Sequence, residues 1–114
     1  MKVNDLQLYQ SLLANDFVTF AQEVFHTVSP GDDYLHNWHV EVVAEYLEAA
    51  RKQEIKRLII NIPPRTLKSI MTTVAWPAWL LGQDPTNKII ASSYSGHLSM
   101  KHSQDTRLVM KSDW

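Results

Sequence analysis

The chain has 114 residues, 45% of them hydrophobic and 20% charged, a composition that suits one small folded domain with a core and excludes a disordered chain. Eleven Lys and Arg against twelve Asp and Glu leave a formal charge of −1, so no overall basic field favours nucleic acid and no acidic tail favours a basic partner. Without cysteine there are no disulfides, zinc thiolate sites or thiol nucleophiles, and neither a signal-peptide stretch nor a run of ~18 apolar residues is present, so a cytoplasmic protein is expected.

Leu6, Tyr9 and Leu13 predict a short first helix. From Asp16 onward, Phe17, Phe20, Ala21, Val24, Phe25 and Val28 recur at i, i+3, i+4, i+7, i+8 and i+11, one face of a second helix with Asp16 as its N-cap. The turn formers Ser29-Pro30-Gly31-Asp32-Asp33 close this pair. Beginning near Asn37, Val40, Val43, Leu47 and Ala50 form one apolar stripe and Trp38, Val42 and Tyr46 a second, which predicts a helix with a wide, mostly core-facing surface.

Leu58-Ile59-Ile60-Asn61-Ile62 is β-branched and closed by Pro63-Pro64, which predicts a buried strand of a parallel sheet. Lys68 to Leu81 predicts a helix in which Pro77 cannot donate to residue 73, so a kink is expected near Trp76. After the turn Gly82 to Asn87, Lys88 to Ser93 predicts a second strand, and Ser95 caps a last helix carrying Leu98, Leu108 and Val109. No repeat or low-complexity segment interrupts the chain. The order predicts a helical lead-in over residues 1–53 and an α/β piece over 54–114.

The turn Pro63-Pro64-Arg65-Thr66-Leu67-Lys68-Ser69 carries the chemistry. The common phosphate loop is G-x-x-x-x-G-K-[ST], and placing Lys68-Ser69 on its last two positions puts Ile62 and Leu67 where glycines stand. Read plainly, the heptapeptide is a turn whose basic residues are solvated. Its context, a strand before and a helix after, favours phosphate binding, because a helix start presents free N–H groups and a positive dipole end to an anion. Lys68 would then reach β- and γ-phosphate oxygens, Ser69 would ligate Mg²⁺, and Arg65 would add a second cation. A side chain at Leu67 disfavours positive φ, so a loop path different from the common one is expected. Two other patterns have plainer readings. His26, His36 and His39 could offer a metal face, but a histidine at a helix start more often bonds nearby backbone; Trp38, Trp76 and Trp79 could stack bases, but their spacing among aliphatic neighbours reads as core.

The block HNWHVEVVAEYLEAARKQEIKRLIINIPPRTLKS, residues 36–69, resembles the W-H helix and the RLIIN-PPR-x-x-KS strand and loop of phage terminase large subunits. The block VAWPAWLLGQDPTNKIIASSYSGHLSMKHSQDTRLVMKSDW, residues 74–114, resembles the WPAW segment, SYS strand end and R-x-x-x-x-S-x-W helix that come next in that family. The resemblance implies an incomplete P-loop NTPase (RecA-like) parallel sheet, the N-terminal part of a DNA-packaging motor ATPase, with ATP and Mg²⁺ as cofactors. Glycine-poor loops are familiar in the family, so Leu67 would be a variant of the loop and not its loss. Residue by residue, Pro64, Arg65, Thr66, Leu67, Lys68 and Ser69 would hold the phosphates, with Arg65 and Lys68 as the catalytic charges and Ser69 as the metal contact. Trp38 and His39 would belong to an adenine-side motif. The implied partners are the terminase small subunit, the portal protein and double-stranded DNA, in the cytoplasm of an infected or lysogenic bacterium.

The sequence stops at Trp114, before any apolar run ending in paired acids, so the Walker B strand and the nuclease domain of that family are expected to be missing. Nucleotide binding without hydrolysis, and self-association or pairing with a downstream terminase polypeptide, are the corresponding expectations. The rival reading is a remnant or non-enzymatic interaction module that docks on a partner.

Overall fold

The structure is a computed structural model that describes residues 3–63, 67–112 and 114. In chain order it contains α1 (Val3–Asn15), α2 (Phe17–Val28), α3 (Trp38–Arg51), a π-helical segment (Ile70–Ala75), α4 (Trp76–Gln83) and α5 (Gly96–Met110). None of the described helices is long and apolar enough to cross a membrane.

The helical periodicities become buried faces. α2 turns Phe17, Ala21, Val24 and Phe25 inward and is the central packing element, touching α1, α3, α5 and the π-helical segment. Asp16 stands at its N-cap in extended conformation, but its carboxylate accepts from the Thr19 hydroxyl at 2.6 Å and caps no backbone N–H. α3 starts where expected, with Asn37 Oδ1 accepting from Trp38 N at 2.8 Å, and buries Val40, Val43, Ala44 and Leu47. Its end is a Schellman closure: Gln53 N donates to Ala50 O and Glu54 N to Ala49 O, at 3.1 and 3.0 Å. That closure requires a left-handed residue, and Gln53 fills the role at φ 62°.

Where a kink near Trp76 was expected, the helix after residue 68 departs from α register ahead of Pro77. Trp76 N donates to Met71 O, five residues back, and the helix returns to α register as Pro77 enters. The carbonyl of Thr73, which Pro77 cannot serve, lies 3.5 Å from the Thr106 hydroxyl of α5. Met71, Val74, Ala75, Ala78 and Trp79 are all buried along this composite helix. Trp79 binds α1 to it, donating its indole N–H to Leu13 O at 3.3 Å and stacking at a tilt on Phe17 at 5.3 Å. Ser95 caps α5 by accepting from Leu98 N at 3.3 Å. Of the apolar residues expected on α5, Val109 is buried and Leu108 is half exposed to solvent. At the far end of the chain Trp114 returns to α2, donating to Thr27 Oγ1 at 3.1 Å and meeting Phe20 edge-on. One apolar core thus draws on residues from both sides of position 53.

The α/β expectation is wrong: the described residues form an all-helical fold with no strand and no parallel sheet of the P-loop NTPase (RecA-like) kind. Both segments expected as strands are extended, yet neither is part of a ladder. Leu58 and Ile60 pack against the helical core while Ile59 between them is 85% exposed, and Ile90 is 97% exposed. The first segment keeps the period-two alternation of a strand but spends its apolar alternates, Leu58 and Ile60, on helices, whereas in the second Ala91 is exposed like Ile90 and only Ile89 and Ser93 are half-buried. A sheet needs a second extended chain at hydrogen-bonding distance, and a segment whose neighbours are helices has none.

Candidate functional site

The turn between the extended segment and the π-helical segment is built from its two ends. Leu58 and Ile60 fix the approach by packing on the core, and Met71 and Val74 fix the exit. Pro64, Arg65 and Thr66, three of the residues expected to hold phosphate, lie outside the described residues. Leu67, Lys68 and Ser69 are described. Leu67 has φ 68°, the left-handed region, at the position where the common loop carries glycine. At this residue the backbone therefore takes the positive φ that a side chain was expected to disfavour, while the rest of the expected loop path, residues 64–66, lies outside the described residues.

The helical bonding starts directly after this residue. Met71 N donates to Leu67 O at 2.9 Å, and the Thr72 hydroxyl donates to Lys68 O at 2.7 Å. Lys68 is half-buried, and its ammonium reaches back to the carbonyl of Ile62 at 3.4 Å, closing a ring of seven residues over the turn. The Ser69 hydroxyl is exposed and makes no capping bond. Cation, hydroxyl and helix start are thus adjacent.

Trp38 and His39 lie beside the same segment. With Val42, Tyr46 and residues 58–62 they line a cavity of about 330 Å³, and Ile62, whose carbonyl holds Lys68, belongs to its wall. Two of the expected groups are therefore joined through Ile62. Trp38 is 71% exposed, and Val42 and Tyr46 are exposed with it, so this second stripe of α3 is not the core that its apolar character suggested. Val42, Tyr46 and Asn61 add to the expected site residues here; the sequence signal for the first two is their spacing in steps of four from Trp38. Trp76 and Trp79 do pack into or against the core as expected. Among the described residues no group of three His, Asp or Glu could hold a metal ion. His36 instead bridges the Tyr34 hydroxyl at 3.0 Å and the Glu41 carboxylate at 3.3 Å.

Comparison of the chain with protein-family profiles, with curated protein sequences and with solved structures finds no match.

Proposed function

We propose that the segment from Ile62 to Ser69 holds the phosphates of ATP with Mg²⁺, and that the chain supplies the nucleotide-contacting part of a DNA-packaging motor of the terminase large subunit kind. The observation that carries this reading is the left-handed backbone of Leu67. A leucine in that region costs about 1–3 kcal/mol, and such strain concentrates at ligand clamps. A left-handed residue followed by right-handed ones also turns successive N–H groups toward a common concavity that suits an anion.

Lys68 and Ser69 supply the rest. The 3.4 Å contact of Lys68 with the Ile62 carbonyl is long, so a phosphate oxygen competes well for the ammonium. Ser69 has its hydroxyl available for Mg²⁺. The cavity along Trp38 and His39 gives the remainder of a nucleotide an aromatic wall next to the phosphates. In a packaging motor the partners would be double-stranded DNA, the small subunit and the portal protein.

Calorimetric titration of Mg-ATP into the wild type and Lys68→Ala tests the proposal. Loss of a charge-assisted contact costs about 1.5–3 kcal/mol, roughly ten- to a hundredfold in affinity. Identical titration curves, with both proteins folded by circular dichroism, reject the loop. A second reading, an interaction module that docks through its extended segments, is favoured by the exposure of Ile59, Ile90 and Tyr94 and requires the ATP titration to be flat for both proteins.

A further inference from the structure

We propose that the cleft between α5 and the extended segment at residues 87–93 binds a small organic phosphate, a phosphate monoester carried on an apolar body. The cleft has a volume of about 680 Å³, within the range of small-molecule sites. None of the described residues from 58 to 69 lines it, so it is a different place from the described part of the nucleotide loop.

One wall is α5. Ser99, Ser103, Arg107 and Lys111 follow one another in steps of four, a single row along the helix, and His102 stands in the row beside it. A helix facing an apolar wall ordinarily presents apolar residues, yet α5 buries Val109 alone and gives the cleft hydroxyls and cations. The opposite wall is Ile89, Ala91 and Ser93, the alternate residues of the extended segment, and the floor includes Pro77 and Leu81.

Two observations identify the ligand's charge. No acidic side chain among the described residues lines the cleft. Among the described residues, the side chains of Ser93, Ser99, His102, Ser103, Arg107 and Lys111 form no hydrogen bond or ion pair. Lys101, on the same helix but outside the cleft, is paired with Asp105 at 2.8 Å. Arg107 and Lys111 also complement the negative end of the helix dipole, but that interaction leaves their N–H donors unused. The wider charge pattern agrees: ten of the eleven Lys and Arg, and four of the twelve acids, lie in residues 51–114.

A guanidinium, an ammonium and a row of hydroxyls suit a dianion with three acceptor oxygens better than a carboxylate with two. The guanidinium fork takes two of those oxygens, and Ser103, one turn away, donates to the third. Pro77, Leu81, Ile89 and Met110 then cover an apolar body that inorganic phosphate lacks.

The test is an amide ¹⁵N–¹H titration of the full chain with 2-naphthyl phosphate, 2-naphthoate, 2-naphthol and inorganic phosphate. 2-Naphthyl phosphate is expected to shift the amides of Ser99, Ser103 and Arg107 and to bind at least tenfold more tightly than the other three. Arg107→Gln combined with Lys111→Gln removes that advantage, while Lys101→Gln and Lys68→Ala leave it in place, which separates this site from the nucleotide loop. Equal binding of 2-naphthol or 2-naphthoate overturns the proposal. So does an affinity unchanged in the double variant, or one abolished by Lys68→Ala.

Discussion

Leu67 offers a measurement in which backbone strain can be separated from packing. A non-glycine residue in the left-handed region costs about 1–2 kcal/mol. Glycine relieves that cost but brings about 0.5–1 kcal/mol of extra chain entropy in the unfolded state. Replacing leucine also removes a half-buried side chain that packs on the core, worth about 1 kcal/mol from the usual burial scale. Leu67→Gly alone is therefore near neutral and says little. The informative comparison is Leu67→Gly against Leu67→Ala, in which the lost packing is common to both. The difference predicts the glycine variant to be the more stable by about 0.5–1 kcal/mol, the reverse of the usual order inside a helix. Gln53, at φ 62° and exposed, serves as the calibrator, since Gln53→Gly loses no packing and should gain about the same amount relative to Gln53→Ala. Urea unfolding followed by circular dichroism measures both pairs. An alanine variant at position 67 as stable as the glycine variant, with position 53 behaving as stated, refutes the left-handed backbone at Leu67 and removes the main support for the phosphate loop.

Trp79 joins α1 to the core through its bond to Leu13, its contact with Phe17 and the Arg51 guanidinium 5.2 Å above its ring, so Trp79→Ala should cost about 3–5 kcal/mol and speed amide exchange throughout α1. A loss under about 1.5 kcal/mol in urea unfolding would contradict that role. Tyr9 gives a pH signature: burial, its hydrogen bond to Glu23 and the charge of that carboxylate push the phenol up from 10.0 to about 12. The folded state thus holds the phenolic proton more tightly than the unfolded chain, so the stabilisation is complete below pH 10.0 and is lost as pH rises toward 12. Tyr9→Phe should flatten that part of the stability curve, and an equal slope in both proteins excludes the assignment.

The helices were readable because their information is local. The apolar positions of α2 recur with helical period, and Asn37 and Ser95 sit where a cap has to be. Pairing of strands is not local. The β-branched run from Leu58 to Ile62 prescribes an extended backbone, but whether a ladder forms depends on what lies at its edges, and here its inward alternates meet helices. Burial suffers the same ambiguity: the spacing of Trp38, Val42 and Tyr46 identifies a common face on α3 and not what covers it. At the site, the Lys-Ser pair and its position at a helix start were legible. The left-handed residue was not, because leucine carries none of the signal that glycine would have given. The row of α5 facing the cleft was hidden for a different reason, since serines and cations at four-residue spacing look the same on a solvated surface.

The unpaired edges of the extended segments, with Ile59 and Ile90 pointing to solvent, have a consequence in reaction order. Folding of a single chain is first order and indifferent to dilution, whereas capture of one open edge by another molecule is at least second order. Lys88 is the one charge in the second segment and stands at its start, so the stretch from Ile89 to Tyr94 has no interior charge to repel a copy of itself. Each tenfold dilution during refolding therefore slows capture per molecule by about tenfold while leaving folding untouched. Yield of the monomer becomes a function of how quickly the denaturant is diluted and into what volume, and placing a lysine at position 90 moves the crossover to higher protein concentration.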